Sequence, residues 1–156
     1  MTFRTPNSIP DLYMAYNTLE PISQLYPNFS DWYWDKVVPG IILGNDKIII
    51  AEQKSELVGI SIIKKGEENK LRAIRISEKF QNKGYGLHLI DQSLKELDTD
   101  KPIVSVAEEM INNFSRIFIN RYNFDITHVY NGLYRKSKLE YEFNGKKELD
   151  IKTIVF

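Results

Sequence analysis

The chain has 156 residues, no cysteine and 42% hydrophobic residues, and its 21 Lys and Arg residues balance 21 Asp and Glu residues. This length and composition predict a single globular domain spanning 1–156, whose core needs no disulfide. The lack of cysteine excludes thiol catalysis and Cys-ligated metals, and the zero net charge gives no general attraction to nucleic acid or anionic membranes. Without an apolar signal segment or a bilayer-spanning stretch, we expect a cytoplasmic protein with no membrane partner.

The first third of the chain predicts a short strand followed by two helices. Phe3–Thr5 can form an edge strand, and Asp11–Leu19 carries apolar residues at helical spacing. Ser30 is a favourable N-cap residue, so a second helix is expected to start there. Pro39-Gly40 is expected to end that helix.

Three runs rich in β-branched residues follow and predict consecutive antiparallel strands. They are Lys47–Glu52, Leu57–Lys64 and Leu71–Ile76. Residues 53–56 and 66–69 have the composition of the connecting turns.

A polar loop, Gln81–Gly86, follows the third of these strands and opens a helix with an apolar face. Backbone N–H groups are unpaired at a helix N-terminus, and the helix dipole adds positive charge there. Glycines allow a phosphate to approach those groups closely. Leu89 replaces the third glycine of a dinucleotide fingerprint, and the Gly-Lys-Ser/Thr of a P-loop is missing. The loop therefore predicts a phosphorylated ligand of another kind.

The rest of the chain predicts one more strand, one more helix and a β-hairpin. The expected elements are a strand at Ile103–Val106, a helix at Asn112–Tyr122, hairpin strands at Ile126–Tyr134 and Leu139–Phe143, and a last strand at Asp150–Val155. Such a mixture of strands and helices, without repeats or linkers, is typical of one layered α/β domain.

This order of elements around Gln81-Asn82-Lys83-Gly84-Tyr85-Gly86 resembles the GCN5-related N-acetyltransferase (GNAT) family. The family's loop reads Arg or Gln, two residues, Gly, one residue, and Gly or Ala. The resemblance covers roughly 47–143 and implies the α/β (α+β) GNAT fold, a mixed, mostly antiparallel sheet flanked by about four helices. It also implies that the strand ending at Ile76 splays from Ile103–Val106, which leaves a gap for the pantetheine arm of coenzyme A.

The same resemblance implies acetyl-coenzyme A as acyl donor and no metal. In the family the loop N–H groups hold the pyrophosphate, and the helix that here starts at Asn112 packs along the cofactor. The positions assigned to the cofactor in this way are Ile74, Arg75, Ile76, Gln81, Asn82, Lys83, Gly84, Tyr85, Gly86, Leu87, Asn112 and Ser115.

Acetyl transfer to an amine also needs a base and an acid. Glu108 and Glu109 end the strand beside the gap, where apolar neighbours are expected to raise a carboxyl pKa. The alternative is that they begin a solvated turn and cap the next helix. The family commonly has an acidic tyrosine late in this helix, but Ile119 stands there, so Tyr122 or Tyr134 is the candidate replacement.

We therefore predict an N-acetyltransferase that acetylates a primary amine by direct attack on acetyl-coenzyme A. The acceptor is a small-molecule or peptide amine, and the balanced charge argues against nucleic acid as partner. The alternative, favoured by Ile119, is a non-catalytic GNAT-fold module that binds coenzyme A or a protein partner. An edge strand near the C-terminus could also pair with a second copy to form a homodimer.

Overall fold

Residues 1–146 are described by the structure, a computed structural model. The expected strand Asp150–Val155 lies outside these residues. Within them the chain forms seven strands and four helical segments. None of the helices in this range has the length and apolarity needed to cross a bilayer.

The N-terminal segment matches its prediction with small shifts. Strand β1 spans Thr2–Arg4, and helix α1 spans Ile9–Leu19, followed by a 3-10 turn at Glu20–Gln24. The Ser8 hydroxyl accepts a 3.3 Å hydrogen bond from the Asp11 amide and so caps α1. This cap explains why α1 begins two residues before the predicted start.

The second helical segment is longer than predicted. It runs without a break through α2 (Phe29–Trp32), a π-helical turn (Tyr33–Val37) and α3 (Val38–Leu43). The expected start at Ser30 and the expected stop at Pro39-Gly40 are therefore both wrong. Pro39 lies at the start of α3, where a missing N–H is tolerated, and the wider π turn before it changes the bonding pattern.

The three predicted consecutive strands are confirmed. Strands β2 (Asp46–Gln53), β3 (Glu56–Lys64) and β4 (Lys70–Ile76) form an antiparallel sheet with β1 at its edge, in the order β1-β2-β3-β4. Lys54 and Ser55 join β2 to β3 with φ values of 49° and 64°. Two consecutive positive φ values match the strand twist and fix the register of this hairpin.

A second, three-stranded sheet contains the later strands. β5 (Val104–Ala107), β6 (Ile126–Asn131) and β7 (Leu139–Phe143) are antiparallel in the order β5-β7-β6. The predicted hairpin is confirmed, but its first strand ends at Asn131. Tyr134 lies in the connecting loop instead of in a strand.

The helices cover both faces of the first sheet. Segments α1 to α3 pack on one face around Tyr33 and Leu19. Helix α4 (Tyr85–Leu97) packs on the other face. The segment formed by α5 (Ile111–Ser115) and a π-helical turn (Arg116–Arg121) joins the same core and packs against β5 of the second sheet. The described strands are thus antiparallel, as expected, but they form two sheets, which four helical segments flank.

Candidate active site

Strands β4 and β5 meet only where they begin. Leu71 N–H donates to the Ile103 carbonyl at 3.0 Å, and Ile103 N–H donates to the Asn69 carbonyl at 2.8 Å. Lys70 and Ile103 form an isolated parallel bridge, and in the part of the chain that the structure describes no ladder continues from it. The two strands therefore diverge toward Ile76 and Ala107, which confirms the predicted gap.

The N-terminus of α4 lies beside the end of β4. Gly84 is its N-cap residue, with φ of 86°, and no side chain caps the helix. The side-chain amide of Gln81 donates to the Ile76 carbonyl at 2.8 Å, which fixes the loop to the strand end. Because the first N–H groups of a helix have no acceptor earlier in the helix, this end attracts an anion.

Space around Gly84 is open. No atom comes within 4 Å of a Cβ placed there, and residues 81–84 are exposed. Lys83 lies in the same loop, and its ammonium donates to the Lys79 carbonyl at 3.0 Å. The loop thus presents backbone N–H groups and one exposed cation toward solvent next to the gap.

The other side of the gap is bordered by β5 and α5. Helix α5 packs against β5, and Ser115 donates to the carbonyl of Asn112 at 3.2 Å. Asn112 is exposed and Ser115 is half-buried. Both of these cofactor candidates therefore lie on α5, the helix that follows β5 at the edge of the gap.

Glu108 and Glu109 begin the turn after β5 and do not end the strand, because β5 stops at Ala107. Glu109 is bound to a cation. Arg135 donates two hydrogen bonds to its carboxylate, at 2.8 and 2.6 Å. This pairing lowers the pKa of Glu109 to about 2, the opposite of the expected direction. A carboxylate with so low a pKa is a weak proton acceptor near neutral pH.

Glu108 has looser contacts with the same region. Its carboxylate accepts a 3.2 Å hydrogen bond from the Leu139 amide and lies 3.3 Å from the Lys138 ammonium. Both glutamates thus attach the end of β5 to the start of β7 and to the loop before it.

Tyr122 lies on the face of the first sheet that α4 covers, and it packs against α4. Its hydroxyl donates to the Asp91 carboxylate at 2.6 Å and contacts the Leu87 carbonyl at 3.3 Å. Burial, followed by the bond to Asp91, raises the pKa of Tyr122 to about 12. Ile119, which occupies the usual tyrosine position, is 39% exposed.

Tyr134 lies on the other face, in the loop between β6 and β7. Its ring meets that of Tyr26 edge to face, with centroids 5.2 Å apart. Burial raises the pKa of Tyr134, and nearby Glu140 adds to this. Tyr134 is therefore the tyrosine candidate that lies close to Tyr26 and to Glu140 of β7.

Glu140 is a buried carboxylate that the sequence analysis missed. Only 4% of the residue is exposed, and it accepts a 2.6 Å hydrogen bond from the Tyr26 hydroxyl. In Leu139–Phe143 the apolar residues alternate with two glutamates, a pattern that predicts glutamates facing water. The burial depends on Tyr26, which is 114 residues away in the chain, so no local signal could reveal it.

Comparison with known proteins leaves the sequence unmatched but the structure well matched. No protein-family model matches the chain, and no curated protein matches it. Among solved structures, a protein assigned to the GNAT family from Desulfovibrio desulfuricans aligns with a TM-score of 0.73 at 14% identity, over 91% of this chain and 96% of that one. An acetyltransferase from Bacillus subtilis in complex with coenzyme A gives 0.64 at 16%, over 92% and 97%. Spermidine N-acetyltransferase from Vibrio cholerae, with coenzyme A and spermine, gives 0.64 at 18%, over 91% and 92%.

The chain has the GNAT fold.

In this GNAT fold the candidate residues separate into groups. The loop and the end of β4 lie together at the mouth of the gap. Glu108 and Glu109 lie at the end of β5, whereas Tyr122 packs against α4 and Tyr134 packs against Tyr26. The two candidate acids are thus on opposite faces of the molecule.

Proposed function

We propose that the protein is an N-acetyltransferase that binds acetyl-coenzyme A between β4 and β5 and transfers the acetyl group to a primary amine. The observation that carries this proposal is the divergence of β4 and β5 beside the uncapped N-terminus of α4. GNAT-fold proteins that bind coenzyme A are among the structures it resembles.

The gap and the helix end suit different parts of this donor. Beyond Leu71, the edge of β4 has backbone groups that are not paired with β5, and the amide groups of pantetheine can bond to such an edge. The space at Gly84 is open, and we expect the N–H groups at this uncapped start of α4 to bind the pyrophosphate. Residues Ile74–Ile76 would therefore hold the pantetheine arm, and the loop would hold the phosphates.

Direct transfer is the expected mechanism because the chain has no cysteine nucleophile. The amine loses a proton, its nitrogen attacks the thioester carbonyl, and the C–S bond breaks to release a thiolate. Between the two predicted bases, Glu108 is favoured because Glu109 is engaged by Arg135. Between the two predicted acids, Tyr134 is favoured because the proton of Tyr122 is engaged by Asp91.

A polyamine is the first acceptor to test. One structurally similar protein is a spermidine N-acetyltransferase solved with coenzyme A and spermine. A small amine also agrees with the balanced charge of this chain, which gives no long-range attraction to a polyanion.

Donor binding is tested by calorimetry with acetyl-coenzyme A. Gly84→Trp places an indole in the open space at the loop, and Gly44→Trp is a matched control. Gly44 also has a positive φ and no atom within 4 Å of its Cβ position, but it ends α3, far along the chain from the loop. We expect wild type and Gly44→Trp to bind and Gly84→Trp to lose at least about tenfold in affinity, or ~1.4 kcal/mol. Equal binding by both variants, or none by wild type, contradicts the donor site.

Catalysis is tested by release of free thiol from acetyl-coenzyme A in the presence of primary amines, starting with spermidine. Tyr134→Phe should lower kcat, whereas Tyr122→Phe should act mainly on stability. The reverse result would assign the acid to Tyr122.

A non-catalytic module that binds coenzyme A is the second candidate function. It is favoured by Ile119 at the usual acid position and by the engagement of Tyr122 with Asp91. Donor binding without thiol release over the whole amine panel would support this module and exclude the enzyme.

A further inference from the structure

We propose that Glu140 binds the ammonium group of the acceptor and takes its proton, in a pocket walled by Tyr26 and Tyr134. This inference rests on the proposed acetyltransferase function and names a residue for its acceptor half, where Glu140 takes the role of base in place of Glu108. Its starting point is that the Glu140 carboxylate is buried without a paired cation among the described residues.

The strand register places Glu140 one strand away from the gap. In β7, Glu140 is paired with Ala107, the last residue of β5, and Glu142 is paired with Ser105. Residues directly opposite each other share a face, so Glu140 lies on the same face of this sheet as Ser105 and Ala107. The neighbouring Tyr141 packs in the core beneath α4 and α5. Glu140 therefore lies across the end of β5 from the open end of the gap, on the face opposite α4, whose N-terminus is the proposed phosphate site.

Glu140 lacks the cation that a buried carboxylate normally has. Its hydrogen-bond partner among the described residues is the Tyr26 hydroxyl, at 2.6 Å. Each nearby basic side chain pairs with a different carboxylate: Arg135 with Glu109 at 2.6 Å, Lys138 with Glu108 at 3.3 Å, Arg72 with Asp46 at 2.6 Å and His128 with Glu142 at 3.0 Å. Among residues 1–146 the structure records no salt bridge to Glu140. An external cation can therefore pair with its carboxylate.

The walls of the pocket suit an ammonium ion. Tyr26 follows the 3-10 turn after α1, and Tyr134 belongs to the β6–β7 loop, so two separate segments converge over Glu140. Tyrosine faces attract cations, which adds to the attraction of the carboxylate. Tyr26 bonds one carboxylate oxygen, Oε1. The other oxygen is left for the acceptor.

Burial also prepares this carboxyl group to accept a proton. It raises the pKa of Glu140 above its usual value, although the hydrogen bond from Tyr26 partly opposes this. Glu140 is thus shifted in the direction that suits a base, whereas Glu109 is shifted away from it.

The proton and bond balance is simple. One proton moves from R–NH3⁺ to the Glu140 carboxylate, and the freed nitrogen lone pair forms a bond to the thioester carbon. The C–S bond then breaks and its electron pair leaves with sulfur. The thiolate takes a proton from the Tyr134 hydroxyl, and the second nitrogen proton restores that hydroxyl. Glu140 finally returns its proton to water, so each turnover gives one amide, one thiol and one proton.

The first experiment compares Glu140→Gln with Glu142→Gln. The two glutamates share a strand and a face, and a glutamine at 140 can still accept the Tyr26 bond, so the variant should fold. With an amine that wild type acetylates, Glu140→Gln should lower kcat/KM by about 100-fold or more. It should leave acetyl-coenzyme A affinity unchanged, and Glu142→Gln should stay close to wild type.

The second experiment does not depend on turnover. In protein labelled with ¹³C at glutamate Cδ, the Glu140 signal is identified by its loss in Glu140→Gln. Titration with propylammonium should shift that signal saturably, whereas propionate should not. This inference is overturned if propylammonium does not shift the Glu140 signal, or if the Glu140→Gln variant keeps the wild-type kcat/KM. Failure to bind acetyl-coenzyme A would instead overturn the proposed function, because the ammonium titration needs no donor.

Discussion

Leu71 and Ile103 are joined by a 3.0 Å backbone hydrogen bond at the point where β4 and β5 separate. Before this bond, the Ile103 amide still reaches the Asn69 carbonyl, and after it the two strands belong to different sheets. The position of this bond therefore sets where the gap begins. Every residue proposed to hold the donor lies on the open side of it.

The two loop glycines should respond differently to alanine. Gly84 has φ of 86°, so Gly84→Ala should lower the free energy of unfolding by about 1 kcal/mol through backbone strain. Gly86 has no positive φ, and its Cβ would lie 3.6 Å from Ile76 Cγ1, an ordinary contact. Gly86→Ala should thus be nearly neutral. Urea unfolding measures both, and a larger loss for Gly86→Ala would contradict the described loop.

A buried serine pair should show strong coupling. The hydroxyls of Ser61 and Ser93 are 2.7 Å apart, both residues are fully buried, and Ser93 also donates to the Leu89 carbonyl. Ser93→Ala leaves the Ser61 hydroxyl without its partner, which should cost about 1–3 kcal/mol. Adding Ser61→Ala should restore part of this loss. Unfolding free energies of the two single variants and the double variant test it, and purely additive losses would refute the coupling.

Part of the fold could be predicted because its signals are local. The β-branched residues of 47–64 favour a hairpin, and the glycines of 81–86 mark the start of α4, both as found. The helix end expected at Pro39 is wrong. Proline usually ends a helix, but here a π turn precedes it and the helix continues. The chain has no local signal for that wider turn.

The candidate site could be predicted on its donor side but not on its acceptor side. The donor side depends on one continuous stretch of sequence, 74–87. The acceptor side depends on contacts between distant residues, such as Tyr26 with Glu140 and Arg135 with Glu109. Such contacts decide whether a carboxyl pKa rises or falls, so sequence alone could not separate Glu109 from Glu140.

Arg4 and Asp11 should make stability depend on pH at the acid end. Arg4 donates two hydrogen bonds to the Asp11 carboxylate, at 2.7 and 3.0 Å, and lowers the pKa of Asp11 to about 2. Because the pKa is depressed on folding, this stabilisation is present above about pH 4 and is lost as pH falls toward 2. Allowing for solvent screening at the partly exposed Arg4, its size is about 1 kcal/mol.

The measurement is the free energy of unfolding of wild type and Asp11→Asn between pH 2 and pH 6. The difference between them should shrink as pH falls through this range. A difference that is constant with pH would mean that the Arg4 pairing does not set the pKa of Asp11.

Removing the Arg135 guanidinium should raise the pKa of Glu109. Since Arg135 is the largest cause of the low pKa, Arg135→Gln should raise the pKa of Glu109 from about 2 toward its usual value of 4.5. Lys138→Gln is the control, because Lys138 is 3.8 Å from Glu109 and has a smaller effect. Carbon-13 NMR of the glutamate carboxyl groups gives both values. An unchanged pKa in Arg135→Gln would show that the two donated bonds do not persist in solution.

The separation of β4 from β5 also changes how many edges the molecule offers. One continuous sheet of seven strands would have two outer edges, whereas the two sheets formed by residues 1–146 have four: β1, β4, β5 and β6. Two of these, β4 and β5, face each other. A thin, extended molecule that enters between them can form hydrogen bonds with strands on both of its sides, while one that adds to β1 or β6 gains a partner on one side only. The geometry thus favours a linear, amide-containing guest at the centre of the molecule over strand addition at its periphery.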